Sequence, residues 1–154
     1  MMSNKNFTCA VSGNRTVLND LDIEKLKEIF IKLIINRDIN TFLVGMAVGF
    51  DTICFKTLLE IRKNFNIKIV ACIPCANQDY NYNEKQKKEY EKMLELADEK
   101  VYTGFEYTKK CMLIRNKYLV DNSSVLVVYS RKKTGGTVYT KNYAINSCVP
   151  IIEL

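Results

Sequence analysis

Six short strand-like runs, five of them separated from the next by a helical stretch, limit this chain to very few folds. The runs are Phe7 to Val11, Thr41 to Val44, Ile67 to Ile73, Lys100 to Tyr102, Ser124 to Tyr129 and Val149 to Ile152. Ile67 to Ile73 and Val125 to Val128 are nearly continuous apolar stretches, as expected for strands covered on both faces. Between them, apolar residues recur at helical spacing, as in Leu21, Leu26, Ile29, Phe30, Leu33 and Ile34. Strict strand–helix alternation predicts a parallel sheet with helices on both faces. The expected fold is α/β, a Rossmann-like three-layer α/β/α sandwich with a mostly parallel sheet.

Punctuation residues place the boundaries. Asn19-Asp20 can cap a helix running to about Asn36, and Asp51 or Thr52 can cap the next. Pro74 ends the third strand, and Asp121-Asn122 ends the helix that begins near Lys109. Helices are also expected at Glu84 to Ala97 and Thr137 to Asn146. No linker, repeat or low-complexity tract divides the 154 residues, so a single domain over 1–154 is expected.

Composition removes several classes of function. The chain has no histidine, which excludes Ser-His-Asp and Cys-His nucleophile systems and histidine-based zinc sites. No apolar run could span a bilayer, and Met1 to Phe7 is too short and too polar for a secretory signal. The expectation is a cytoplasmic protein without a membrane partner. Its six cysteines mostly lie inside apolar runs and read as small core residues. Cys72-Ile73-Pro74-Cys75 has redox spacing, but it overlaps a strand end rather than opening a helix, and no further metal ligands stand near it. No metal is expected. The formal charge of +6 favours an anionic partner without naming one.

Three glycine-bearing turns follow strands: Ser12-Gly13-Asn14-Arg15, Gly45 to Asp51, and Thr134-Gly135-Gly136-Thr137. In an open parallel sheet, ligands bind beyond the C-terminal strand ends. If strand order brings the three turns together, their backbone amides and the Ser12 and Thr137 hydroxyls form an anion cradle. Arg15 can add a bidentate contact to phosphate. Each turn alone also has a plain structural explanation. Arg131-Lys132-Lys133 adds positive charge beside Gly135. Tyr80 and Tyr82, in the loop after the third strand, can stack on a base or pack on the neighbouring helix.

The series Ser12-Gly13-Asn14-Arg15, Gly45-Met46-Ala47-Val48-Gly49-Phe50-Asp51, Arg115-Asn116-Lys117-Tyr118-Leu119-Val120-Asp121 and Gly135-Gly136-Thr137 resembles the SLOG superfamily. It is most similar to the YpsA/YoqJ-related branch, over about Phe7 to Ile152. That superfamily also includes the Smf/DprA proteins and the LOG nucleotide hydrolases. The resemblance implies a Rossmann-like fold and a nucleotide or nucleotide-derived ligand of ADP-ribose or NAD type. It places ligand contacts at Ser12, Gly13, Asn14, Arg15, Gly45, Met46, Ala47, Gly49, Asp51, Arg115, Asn116, Gly135, Gly136 and Thr137. Asp121 matches the aspartate that closes the Arg-Asn segment.

Two departures matter. Asn14 stands where the branch often has histidine, and an amide cannot shuttle a proton near pH 7. LOG hydrolases carry Pro-Gly-Gly-x-Gly-Thr-x-x-Glu, and here the glutamate's place falls on Thr140. Asp51, Glu60 and Asp121 are the carboxylates that could stand in. The expected function is therefore ligand binding, as in a sensor or regulatory protein, with no cofactor required. A LOG-type hydrolase of N-glycosidic or phosphate bonds is the first alternative. Single-stranded DNA binding is the second. Nothing in the pattern fixes the oligomeric state, and a homodimer is compatible with it.

Overall fold

The computed structural model describes residues 4–154. Met1, Met2 and Ser3, part of the segment judged unlike a secretory signal, lie outside the described residues. After a short 3-10 turn, Lys5–Phe7, the chain runs β1 (Thr8–Gly13), α1 (Ile23–Arg37), β2 (Thr41–Val44), α2 (Phe50–Arg62), β3 (Lys68–Ile73) and α3 (Glu84–Leu96). It continues as β4 (Glu99–Tyr102), α4 (Cys111–Asp121), β5 (Val125–Tyr129), α5 (Gly136–Asn146) and β6 (Ile151–Glu153). Among the described residues, no helix is long and apolar enough to cross a membrane.

The six strands form one sheet in the order β4-β3-β2-β1-β5-β6, and every neighbouring pair is parallel. A right-handed crossover leaves its helix on one face when the chain steps one way along a sheet, and on the other face when it steps back. Helices α1, α2 and α3 carry the chain outward from β1 to β4, whereas α4 and α5 carry it the opposite way. The two cores follow this division. Leu26, Phe30, Leu58, Tyr90 and Met93 pack with Cys9, Phe42, Ile69 and Val127 on one face. Leu119, Val120 and Ala144 pack with Ala10, Leu43, Val70 and Leu126 on the other. The alternation within β5 sends Val125, Val127 and Tyr129 to the first core and Leu126 and Val128 to the second. The result is the three-layer α/β/α sandwich expected.

Two expected caps are corrected. Asp22, not Asn19 or Asp20, caps α1, accepting a hydrogen bond from Lys25 N at 3.1 Å. Asp20 is drawn away by Tyr129 Oη at 2.9 Å and Arg131 Nε at 2.7 Å. Helix α2 starts after Gly49 without a side-chain cap. Asp51 lies inside its first turn, and Thr52 donates its hydroxyl to Ala47 O.

The direction of travel reverses between β1 and β5. At this switch point the C-terminal ends of β2, β1 and β5 stand side by side, so all three glycine turns meet at one edge of the sheet.

Candidate functional site

A cavity of about 420 Å³ opens at this edge. Of the residues expected to contact ligand, Ser12, Gly13, Asn14, Arg15, Ala47, Asp51, Arg115, Asn116, Gly135, Gly136 and Thr137 line it. Gly45, Met46 and Gly49 do not; they stand behind it as framework. Lys132, expected to add positive charge beside Gly135, lines the cavity too, and the sequence reading missed Lys109, Met112, Leu113 and Leu119, which also line the wall. Their signal was topological: α4 crosses the second face back to β5, so its first turns overhang the switch point.

The three turns are not equivalent. At Gly49, φ is +84°, and an added Cβ would collide with the Arg15 and Asn14 carbonyl oxygens. The first N–H of α2, from Phe50, donates to Asn14 O at 3.2 Å. The start of α2 is thus closed by the β1 turn. An added Cβ at Gly13 would strike the Phe50 ring, so these two glycines let the turns interlock.

The α5 turn is open. Gly135 has φ +113° with nothing within 4 Å of an added Cβ, and α5 has no side-chain cap. The first N–H groups of a helix lack carbonyl partners within it and carry partial positive charge. Gly136 and Thr137, the first two residues of α5, carry such groups and line the cavity. Asn116 Nδ2 faces the same place, 3.7 Å from where a Gly136 Cβ would stand. Asn14 clamps this turn to β1: its Oδ1 accepts from Arg131 N at 2.6 Å and its Nδ2 donates to Thr137 Oγ1 at 3.4 Å.

Four cations line the cavity: Arg15, Lys109, Lys132 and the buried Arg115. Arg15, Lys109 and Lys132 form no ion pair among the described residues. Arg131 is diverted, stacking 4.2 Å over the Tyr129 ring while donating to Asp20 and to Leu154 O. Arg115 donates to Gly45 O, to Cys72 O at 3.3 Å and to Asn116 Oδ1 at 2.9 Å. Gly45 O also accepts from Gln78 Nε2 at 2.9 Å.

Asp51 is the one carboxylate on the wall. It faces Arg115 across Gly45, where an added Cβ would stand 2.9 Å from the guanidinium and 3.0 Å from Asp51 Oδ2. Asp51 Oδ2 accepts from Ala47 N at 3.1 Å, while its buried Oδ1 has no partner among the described residues. Burial pushes its pKa up to about 6, a rise opposed by the charge of Arg115, the Ala47 hydrogen bond and the charge of Arg15. The other two candidate carboxylates are elsewhere. Glu60 pairs with Lys27 at 3.6 Å, and Asp121 accepts from Tyr143 Oη at 2.8 Å. Thr140 is fully buried, and its hydroxyl donates to Gly136 O at 2.8 Å.

A second cavity, of about 630 Å³, adjoins the first and shares Arg15 and Met112 with it. Its wall is aromatic and amide-bearing, with Tyr80, Tyr82, Tyr107, Asn77, Asn81 and Gln86. Tyr82 is committed to structure: its hydroxyl donates to Met46 O at 3.1 Å, and its ring meets Tyr90 edge-on at 5.7 Å. Tyr80 is 75% exposed. Cys72 belongs to the second core, whereas Cys75 is influenced by Cys111. Among the described residues, no group of histidine, cysteine, aspartate or glutamate side chains is arranged to hold a metal.

A model of the YspA SLOG family (YpsA) matches residues 19–148. The uncharacterized SPbeta prophage-derived protein YoqJ of Bacillus subtilis (strain 168) is 28% identical over 134 residues, covering 79% of this chain and 78% of YoqJ. DNA processing protein A from Helicobacter pylori superposes with a TM-score of 0.66 at 17% identity, covering 97% of this chain and 65% of that one. DNA processing protein A (DprA) from Streptococcus pneumoniae gives a TM-score of 0.68 at 19% identity, covering 95% of this chain and 49% of that one. The chain therefore spans about two-thirds and half of those two solved chains, and the likeness is one of fold. The Helicobacter pylori protein is described by its single-stranded DNA binding mode.

Proposed function

The chain belongs to the YspA SLOG family, and we propose that it binds a nucleotide or nucleotide-derived ligand, of ADP-ribose or NAD type, across the two cavities. The observation that carries this reading is the uncapped start of α5. Its amides, Asn116 Nδ2 and three cations without ion-pair partners converge on one 420 Å³ space. Such a set holds a phosphate through charge-assisted hydrogen bonds. The adjoining aromatic cavity suits a base, with Tyr80 as the ring available for stacking. Binding without turnover is the favoured form, because Thr140 is tied to the backbone of its own helix.

A thermal-shift screen of nucleotides, NAD and ADP-ribose tests this. At least one should raise the melting temperature, and Gly136→Asp, which puts a carboxylate at the cradle, should abolish the shift. No stabilisation across the panel, or an unchanged shift in the variant, would count against the reading.

Single-stranded DNA binding is the second reading. It draws support from the exposed rings of Tyr80, Phe105 and Tyr107 beside Lys109 and Lys110. Affinity for an oligonucleotide should then fall steeply with salt. Binding that ignores salt would remove this option.

A further inference from the structure

We infer that Asp51 is a specificity-determining contact, whose unpartnered carboxylate oxygen accepts a hydrogen bond from a pentose hydroxyl, so that the cavity selects ribose-bearing over 2′- or 3′-deoxyribose-bearing phosphates. The inference rests on the nucleotide reading above and narrows it to a sugar.

Asp51 is only 6% exposed, yet it lines the cavity. Its Oδ2 is satisfied by Ala47 N–H, and its Oδ1 by nothing among the described residues. A buried acceptor left unpaired is unfavourable, and because Oδ1 is itself closed to solvent, the carboxylate must turn about its Cβ–Cγ bond to offer that oxygen to a donor in the cavity, which recovers the free energy. Arg115 does not supply that donor. Its guanidinium is spent on Gly45 O, Cys72 O and Asn116 Oδ1, and it forms no direct ion pair with Asp51.

The donor's chemistry follows from the surrounding charge. Burial pushes Asp51 toward its neutral form, and the charges of Arg115 and Arg15 oppose that push. A further cation there would meet two guanidinium groups, and a phosphate oxygen would meet a carboxylate. A neutral hydroxyl satisfies the lone pair without either repulsion. The phosphate is left to the α5 end of the cavity, where Gly136 and Asn116 Nδ2 stand and no carboxylate does. Met112, Leu113 and Leu119 supply apolar wall for the sugar's carbon face. One ligand class has an anion at one end, a hydroxyl donor beside it and a ring to follow: a ribose phosphate.

Calorimetric titration of the full chain with ribose 5-phosphate, AMP and ADP-ribose, each beside its 2′-deoxy counterpart, and with 3′-deoxy-AMP, tests the assignment. At least one deoxy form should bind tenfold or more weakly than its ribose parent. In Asp51→Ala that ratio should collapse to within twofold. Asp51→Asn, which keeps the side chain's shape and one acceptor oxygen, should retain part of the selectivity and shows that the loss is not one of folding. Equal affinity for ribose and deoxyribose forms in the unaltered protein would overturn the Asp51 assignment and leave the nucleotide reading standing. Failure of every probe, ribose or deoxyribose, would bring down both.

Discussion

Gly49 lies directly against the carbonyl of Arg15. Its φ is +84°, and a Cβ on it would fall well inside van der Waals contact with that oxygen and 2.7 Å from Asn14 O. Any side chain must push the β1 and β2 turns apart, and with them the wall of the first cavity. Gly49→Ala should therefore destabilise the fold by about 3 kcal/mol or more, combining backbone strain with overpacking. Gly136→Ala meets only Asn116 Nδ2 at 3.7 Å and should change stability by about 0.5 kcal/mol or less. Urea denaturation of the two variants checks the contrast. Equal losses would mean that both turns are packed alike.

Asp51 makes stability depend on pH in a direction opposite to most carboxylates. Its pKa is about 6 in the folded chain against an ordinary value of 3.8. Below about pH 4 both states carry the proton. Between about 4 and 6 the unfolded chain releases it while the folded chain keeps it, so folding loses stability as pH rises. Above about 6 the loss is complete. Asp51→Asn keeps an acceptor for Ala47 N–H and should stabilise the protein by about 1–3 kcal/mol at pH 8, with no gain at pH 4. Melting curves at the two pH values measure this. A gain that does not depend on pH would contradict it.

Arg115 should be costly to remove for a related reason. Arg115→Met fills similar volume but strips Gly45 O and Cys72 O of a donor and leaves the Asp51 charge uncompensated. A loss of about 3–5 kcal/mol is expected. Part of it should return in Arg115→Met combined with Asp51→Asn, because the orphaned charge is then gone. A double-mutant cycle in urea reads this coupling. Strict additivity of the two changes would sink the proposed link across Gly45.

The strands were legible in the sequence because burial on both faces makes them nearly continuous apolar runs, and Thr41–Val44 came out residue for residue. Helix starts were less so. Asp20 and Asp22 are equally good caps by chemistry, and what separates them is Tyr129 and Arg131, more than a hundred residues along the chain. The three glycine turns were legible as neighbours once strand order was known. Their different roles were not, because an interlocking glycine and an open one read alike until the Arg15 carbonyl and the Phe50 ring are in place. Lys109 looked like an ordinary surface lysine, and only the return path of the chain into α4 brings it to the cavity, whereas the position of Lys132 beside Gly135 already pointed there. Tyr80 and Tyr82 were indistinguishable in sequence, and Met46 O and Tyr90 separate them.

The cysteines allow a test of how closed the two cores are. Five are buried, Cys9, Cys54, Cys72, Cys75 and Cys111, and Cys148 alone is exposed. Thiolates, not thiols, attack alkylating reagents. Burial raises the pKa of Cys9 and Cys54, and pushes that of Cys72 up to about 12. Burial also raises Cys75, reinforced by the neighbouring Cys111. Iodoacetamide at pH 8 should therefore add one label to the native chain, at Cys148, and the other five only after unfolding. Intact-mass and peptide mapping over time distinguish the cases. Rapid labelling of Cys72 or Cys75 would instead mean that the end of β3 opens readily, and would revive a redox role for the Cys72-Ile73-Pro74-Cys75 spacing.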